Sequence, residues 1–221
     1  MTEQSHKGIK IPSSTFFNLP EDKRQRFIEL ALEEFAANDY ENASISRIVT
    51  RAEIAKGSLY QYFTDKKDLY FYLLSLASQK KGEFLSSTLS SNGDQPIFEQ
   101  LDGLFLAMLQ FQEQHPLLAQ VGNRVMNANS PLSGDLISTA RAATQKQFSS
   151  LFEQGKARGE IKADADTEAA GFIMAAVILE VGNQPSLGLD EFKKIYRQML
   201  SILQDGLAVP GVERERKKND E

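Results

Sequence analysis

The residues best suited to recognition chemistry are concentrated in AKGSLYQYFTDKKDLY, positions 55–70. This stretch holds three tyrosines, three lysines, a serine, a glutamine and a glycine. A glutamine can bond to a base edge through two hydrogen bonds, while hydroxyl and ammonium groups can bond to phosphates. These residue types therefore favour contact with a nucleic acid.

The helical period sorts this stretch into an inner and an outer face. At about 100° per residue, three apolar residues share the inner face: Ala55, Leu59 and Phe63. The outer face and its borders carry polar groups or no side chain: Lys56, Gly57, Ser58, Tyr60, Gln61 and Tyr62. A glycine within a helix costs about 0.5–1 kcal/mol relative to alanine. Close approach of another molecule to the backbone would explain Gly57.

Neighbouring helices must hold this stretch in place. A first helix is predicted to open at Pro20, because proline suits the first turn and acidic residues follow it. A second follows Ser44, a residue type that caps helix N-termini, and a fourth begins near Thr64 and Asp65. The second and third helices, with their short connection, match a helix-turn-helix pattern. Ordinary surface packing of a helix pair that binds nothing is the alternative.

The chain as a whole is acidic, but this region is not. The 221 residues carry a net charge of −5, whereas residues 43–67 contain five basic and two acidic residues. Without cysteine, and with only two histidines, we expect no metal site and no cofactor. No phosphate-binding loop, dinucleotide fingerprint or nucleophile motif occurs, so we expect no catalytic residues and no enzyme. The longest apolar run, residues 169–179, is too short to span a membrane, so we expect a cytoplasmic protein.

Residues 55–70 resemble the signature of the TetR family of bacterial transcriptional repressors. The signature runs through a serine or alanine, Lys, Gly, Ser or Thr, Leu, Tyr, a variable residue, Tyr or His, and Phe, with a lysine at the next helix start. The upstream stretch RFIELALEEFAANDYENASISRIVTRAEI is similar to the family's first two helices. The resemblance covers about residues 20–72, and it implies a homodimer that binds a near-palindromic DNA operator.

The resemblance also assigns roles to individual residues. It implies contacts with the DNA backbone for five of them: Ser44, Lys56, Tyr60, Tyr62 and Lys66. It places three near the base edges: Gly57, Ser58 and Gln61. Ala43 replaces a common Thr, and two further positions depart from the family pattern, because Glu53 in the turn and Asp39 before Tyr40 stand where glycine is usual. We expect a positive φ at both positions.

The rest of the chain predicts an all-α fold. Further helices are expected at about 97–114, 117–128, 133–158, 166–181 and 189–206, after a polar break at 86–96. We expect an N-terminal three-helix DNA-binding domain at 19–70, a larger helical ligand-binding and dimerisation domain at 71–207, and a charged, disordered tail at 208–221.

The regulatory part is rich in Phe and Met on helical faces. The resemblance implies a ligand cavity there, and the apolar residues suggest a hydrophobic or amphipathic effector. The candidate lining residues are Phe105, Met108, Phe148, Phe152 and Met174. Ordinary core packing is the alternative for each of them.

The last two helices suggest a homodimer. Residues 166–181 are apolar nearly all round, whereas a helix on the outside of a monomer is apolar on one stripe. Two such helices from each chain would form a four-helix interface with two-fold symmetry. The candidate interface residues are Phe172, Ile178, Ile195, Met199 and Ile202. Burial of the helix within one chain is the alternative.

The sequence therefore predicts a sequence-specific DNA-binding regulator, a homodimeric repressor released by a small molecule. A helical small-molecule carrier without DNA-binding activity is the rival interpretation.

Overall fold

The computed structural model describes residues 12–127, 134–182 and 188–210, and these ranges contain ten helices. In chain order they are α1 (Ser14–Phe17), α2 (Glu21–Ala37), α3 (Ile45–Arg51), α4 (Lys56–Tyr62), α5 (Lys66–Ser91), α6 (Ile97–Gln114), α7 (Pro116–Asn127), α8 (Gly134–Ala157), α9 (Thr167–Gly182) and α10 (Leu189–Leu207). The predicted all-α fold class is confirmed. No described helix is long and apolar enough to cross a membrane.

Backbone contacts divide the chain into two units. The first combines Met1–Ser86 with Ala107–Ala128, and the second combines Ser87–Leu106 with Asn129–Glu221. Helices α5 and α6 therefore each contribute residues to both units. The functional division near residue 70, expected from the sequence, stays a prediction.

An aromatic cluster packs the N-terminal helices of the first unit together. Phe16 of α1 has no accessible surface, and its ring centroid lies 5.0 Å from that of Phe63 and 5.9 Å from that of Phe27. Edge-on aromatic pairs add about 0.5–1.5 kcal/mol each beyond the area they bury. The sequence did not predict α1, because four residues are too few to show a helical period.

Side-chain caps begin two helices close to where the sequence places them. The Ser44 hydroxyl accepts a hydrogen bond from the Arg47 N–H at 3.3 Å, which confirms the predicted cap of α3. Asp65 accepts one from the Asp68 N–H at 2.8 Å, and Asp68 accepts one from the Thr64 N–H at 3.0 Å. The Asp65 carboxylate therefore caps the first turn of α5, and the Asp68 carboxylate binds the backbone just before it.

Three local expectations are wrong in whole or in part. Helix α5 continues to Ser91, so the break expected at 86–96 is confined to residues 92–96, and the Ser91 hydroxyl donates to the Ser87 carbonyl at 2.9 Å. Asp39 does not adopt a positive φ; among the described non-glycine residues only Glu53 does. Ala55 is exposed rather than inward, because it precedes α4 as the N-cap.

Close packing and buried hydrogen bonds hold the second unit together. Gly171 of α9 approaches α8 so closely that a Cβ there would lie 2.6 Å from the backbone nitrogen of Ser149. The buried Tyr196 hydroxyl donates to the Leu101 carbonyl at 2.6 Å, and burial raises the pKa of Tyr196. The Tyr196 ring stacks on Phe105 with 3.6 Å between centroids. These contacts join α6 to α10 and α8 to α9.

The segment expected to be a tail begins with backbone contacts to the second unit. Ala208 forms an isolated antiparallel bridge with Ile161, and the Val209 N–H donates to the Glu160 carbonyl at 3.0 Å. The remainder of that prediction concerns residues 211–221, which lie outside the described residues.

Candidate nucleic-acid interface

Helices α3 and α4 are joined by a tight turn over residues 52–55. Glu53 lies in the left-handed region there, with φ of 56°, as the sequence predicts. The Glu53 N–H bonds to the Thr50 carbonyl at 3.2 Å, and the Ile54 N–H bonds to the Val49 carbonyl at 3.1 Å. These bonds close the turn although a non-glycine residue in this conformation costs about 1–2 kcal/mol. The two helices and their turn form a helix-turn-helix.

Helix α4 presents its polar residues outward. Leu59 is fully buried, and Phe63, the residue after the helix, is buried with it, as predicted. Tyr60 keeps 53% of its surface accessible. The other outer positions divide into exposed and half-buried residues: Lys56, Gly57 and Gln61 are exposed, while Ser58 and Tyr62 are half-buried. The outer face of α4 is therefore a surface that another molecule can reach.

Nothing within the described protein requires a glycine at position 57. A Cβ at Gly57 would meet no atom within 4 Å, and the residue does not have a positive φ. Neither packing nor backbone conformation therefore accounts for this residue. Gly82 and Gly206 are equally unconstrained, so what distinguishes Gly57 is its place on the exposed outer face of the second helix of the helix-turn-helix.

A segment that the sequence analysis missed holds the end of α4. Ser13 donates its N–H to the Tyr62 carbonyl at 3.0 Å and its hydroxyl to the Gln61 carbonyl at 2.5 Å. Carbonyls in the last turn of a helix lack partners within that helix. The Phe16 ring packs 5.8 Å from the Tyr62 ring. The sequence signal for this support, PSSTFF at positions 12–17, is too short to be recognised.

An ion pair between a buried carboxylate and an exposed arginine positions the start of α3. The Glu34 carboxylate of α2 is buried, and it accepts hydrogen bonds from the Ser44 N–H at 2.8 Å and from Nε of Arg47 at 3.0 Å. The hydrogen bond from Arg47 is the main cause that lowers the pKa of Glu34 below its ordinary value. The predicted phosphate contact of Ser44 stays a prediction, and the structure shows its hydroxyl in use as a cap.

Lys66 also has partners within the first unit. Its amine donates to the Glu41 carbonyl at 3.1 Å and to the Ala43 carbonyl at 3.0 Å, and it lies 4.6 Å from the centre of the Tyr40 ring. These contacts tie the loop before α3 to the start of α5. An ammonium group has three N–H donors, so the predicted phosphate contact would have to use the third.

Part of the local basic charge is neutralised. Arg47 pairs with Glu34, and Arg51 pairs with Glu33. The other three basic side chains of residues 43–67 have no carboxylate partner among the described residues: Lys56, Lys66 and Lys67. The lysines therefore supply the unpaired positive charge of this region.

The candidate pocket residues do not share one unit. Four of them are buried in the second unit: Phe105, Phe148, Phe152 and Met174. Met108 is half-buried and belongs to the first unit. Their role as a ligand lining stays a prediction.

The candidate dimer residues fall into two groups. Phe172 and Ile202 keep 59% and 71% of their surface accessible. Ile178 and Met199 are buried within the single chain, and Ile195 is half-buried. A charge at a buried position would disrupt the unit itself, so the two exposed positions are the ones suited to test dimerisation.

No metal centre is visible among residues 12–127, 134–182 and 188–210, because these hold no group of three or more His, Cys, Asp or Glu side chains that could bind an ion. This protein has a helix-turn-helix with outward polar residues and unpaired lysines. These features are typical of helix-turn-helix DNA-binding proteins.

Comparisons with known proteins identify the family. Residues 27–73 match the family model described as bacterial regulatory proteins, tetR family. The chain is 37% identical to a TetR family transcriptional regulator from Chloroflexus aurantiacus J-10-FL, covering 90% of this chain and 100% of that one, with a TM-score of 0.70. The chain belongs to the tetR family of bacterial transcriptional regulators.

Two further proteins show the range of similarity. The HTH-type transcriptional regulator YhgD of Bacillus subtilis is 23% identical over 157 residues, covering 69% of this chain and 78% of its own length. The fold is also shared by the Bacillus subtilis regulator FadR in complex with stearoyl-CoA, at 22% identity and a TM-score of 0.64, over 82% of this chain and 98% of that one. Regulators of this family are not enzymes; they bind DNA and small-molecule ligands, typically as dimers.

Proposed function

We propose that this protein is a cytoplasmic, homodimeric repressor that leaves its DNA operator when a small hydrophobic or amphipathic molecule binds. Gly57 is the observation that carries the DNA-binding part. It costs helix stability, yet no contact or backbone angle of the described protein requires it. A DNA groove that approaches the backbone of α4 would require a residue without a side chain at this position.

The residues on the outer face of α4 and near it would have two different roles in DNA recognition. Residues that touch phosphates position the protein, and residues that touch base edges select the sequence. The proposed backbone contacts are Ser44, Lys56, Tyr60, Tyr62 and Lys66. The residues proposed to lie near base edges are Gly57, Ser58 and Gln61, of which Gln61 is exposed and can bond to adenine through two hydrogen bonds.

The second unit would supply the dimer contact. Large apolar side chains are exposed on both of its last helices, including Phe172 of α9 and Ile202 of α10. Pairing these helices across a two-fold axis would cover them and would set two reading helices about 34–36 Å apart, as a near-palindrome requires. The DNA-binding domain at 19–70, the regulatory domain at 71–207 and the tail beyond are part of this proposal.

A contact inside the first unit would carry the effector signal. Arg124 of α7 donates to the carbonyls of Ala36 at 2.5 Å and Ala37 at 3.1 Å, at the end of α2, and pairs with Asp39 at 2.8 Å. A shift of α7 would therefore pull directly on α2, which carries Glu34 and packs against α3. That FadR binds stearoyl-CoA supports a ligand-responsive role for the shared fold.

Selection of bound sequences from a random DNA pool tests the proposal. A near-palindromic motif is expected, and its binding should weaken about 10³–10⁵-fold between 50 and 200 mM salt if the dimer makes about 6–10 phosphate contacts. Failure to enrich any sequence, with a flat salt response, would favour the helical carrier instead.

A further inference from the structure

The chain segment that precedes the first helix is fixed to the end of α4. The Ser13 N–H donates to the Tyr62 carbonyl at 3.0 Å, and the Ser13 hydroxyl donates to the Gln61 carbonyl at 2.5 Å. Gln61 and Tyr62 are the last two residues of α4, and the Gln61 side chain is exposed. Ser13 therefore lies beside the outer face of the helix that is proposed to read DNA.

Packing holds this attachment in place. Phe16 has no accessible surface, and its ring centroid lies 5.8 Å from that of Tyr62 and 5.5 Å from that of Tyr72. Pro12, directly before Ser13, is also buried, whereas Ser14 and Thr15 are exposed. Because buried residues stand on both sides of Ser13, the position of the chain at this point is determined by the fold.

The sequence around this attachment is basic, in contrast to the chain as a whole. Residues 4–20 contain two lysines, Lys7 and Lys10, and no acidic residue, although the whole chain has a net charge of −5. The first acidic residue that follows, Glu21, is paired with Arg24. The two lysines thus precede a described segment whose nearest carboxylate along the chain is already neutralised.

The number of residues between the lysines and Ser13 limits how far their amines can reach. Three residues span at most about 10–11 Å between Lys10 and Ser13, and the lysine side chain adds about 6 Å. The major groove is about 12 Å wide, so the phosphates that border a groove occupied by α4 are within this distance. Lys7, three residues earlier, can reach about 10 Å further.

We propose that Lys7 and Lys10 bind phosphates of the operator beside the groove that α4 enters, so that the segment before α1 is a second DNA-binding element. The inference rests on the proposed function and deepens it. Chain segments that precede a DNA-binding helical domain can run along DNA away from the reading helix. Phosphate contacts carry no sequence information, so this element strengthens binding while α4 selects the sequence.

Fluorescence anisotropy over a series of salt concentrations tests this element in the full chain, with the selected operator and with unrelated DNA. The double variant Lys7→Ala/Lys10→Ala should bind both DNAs more weakly by a similar factor, about 10–100-fold at about 100 mM salt. For a dimer, the slope of log affinity against log salt should become less steep by about 3–4, because each lost phosphate contact contributes about 0.9.

The double variant Lys217→Ala/Lys218→Ala is the matched control, because it removes the same charge near the other end of the sequence. It should keep the affinity and the salt slope of the wild type. Both variants should melt at the wild-type temperature, because the proposed contacts are made with DNA and not within the protein.

The inference is overturned if Lys7→Ala/Lys10→Ala keeps the wild-type affinity and salt slope, or if the control variant loses as much affinity. Weaker binding of the operator alone, with unrelated DNA bound as before, would assign the lysines to base edges and contradict phosphate binding. A lower melting temperature of Lys7→Ala/Lys10→Ala would show that these side chains serve the fold.

The wild type, measured in parallel, separates this inference from the proposed function. If the wild type binds no selected sequence, the proposed function fails and the inference fails with it. If the wild type binds its operator and Lys7→Ala/Lys10→Ala binds it equally well, only the second DNA-binding element is removed.

Discussion

Substitution of Gly57 should move stability and DNA affinity in opposite directions. A Cβ at this position meets nothing within 4 Å, so alanine adds no clash. Replacing a helical glycine by alanine stabilises a protein by about 0.5–1 kcal/mol, because glycine loses more backbone freedom on folding. For a chain of this size, that corresponds to a rise in melting temperature of about 1–4 °C.

The same substitution should weaken specific DNA binding, because it fills the space through which a groove would approach α4. Gly57→Leu is the stronger form, since its side chain extends beyond the Cβ. It should reduce operator binding towards the non-specific level, a loss of at least about 10³-fold. Thermal melting and fluorescence anisotropy with the selected operator measure the two effects on the same sample.

Gly82→Ala is the matched control for this pair of effects. Gly82 is exposed on α5, and a Cβ there also meets nothing within 4 Å. It should raise the melting temperature by a similar amount and leave DNA affinity unchanged. Wild-type operator binding by Gly57→Leu would refute the reasoning, as would a lower melting temperature for Gly57→Ala.

Four further predictions concern other parts of the molecule. Gly171→Ala should destabilise the protein by about 1–3 kcal/mol in denaturant unfolding, because its Cβ would lie 2.6 Å from the Ser149 nitrogen, whereas Gly206→Ala, with nothing within 4 Å, should not. Glu34 has a lowered pKa when folded, so its contribution to stability is present above the unfolded value of about 4.3 and is lost as the pH falls through the folded pKa; unfolding followed against pH should show this loss in the wild type and not in Glu34→Gln. Ile202→Glu should yield monomers at micromolar concentration in analytical ultracentrifugation and should weaken operator binding with them; a variant that stays dimeric contradicts the proposed interface. Gln61→Ala should relax sequence preference at one or two base pairs, by about 1–3 kcal/mol, whereas Lys66→Ala should weaken all sequences by a similar factor; an unchanged selected motif for Gln61→Ala would argue against base reading.

Features that depend on neighbouring residues could be predicted from the sequence. The cap at Ser44 and the inward side of Leu59 follow from local chemistry and from the helical period, whereas the left-handed turn at Glu53 follows from the family resemblance. These signals lie within a few residues of one another, so no knowledge of the rest of the chain is needed to interpret them. The helix-turn-helix and the family resemblance could therefore be identified from the sequence alone.

The helical period of apolar residues cannot identify the inward face of a helix that is apolar on every side. The sequence of α9 could not separate Ile178, which packs inside its own unit, from Phe172, which is exposed. Both are large and apolar, and only the position of α8 and α10 decides which side each one occupies. The choice of test residues for the dimer depends on this distinction.

Contacts between distant segments were decided by the tertiary structure alone. Ser13 supports the end of α4 from 48 positions away, and Arg124 reaches the end of α2 from 88 positions away. Both side chains bind backbone carbonyls, which every residue has, so no residue pattern in the sequence marks these carbonyls as acceptors.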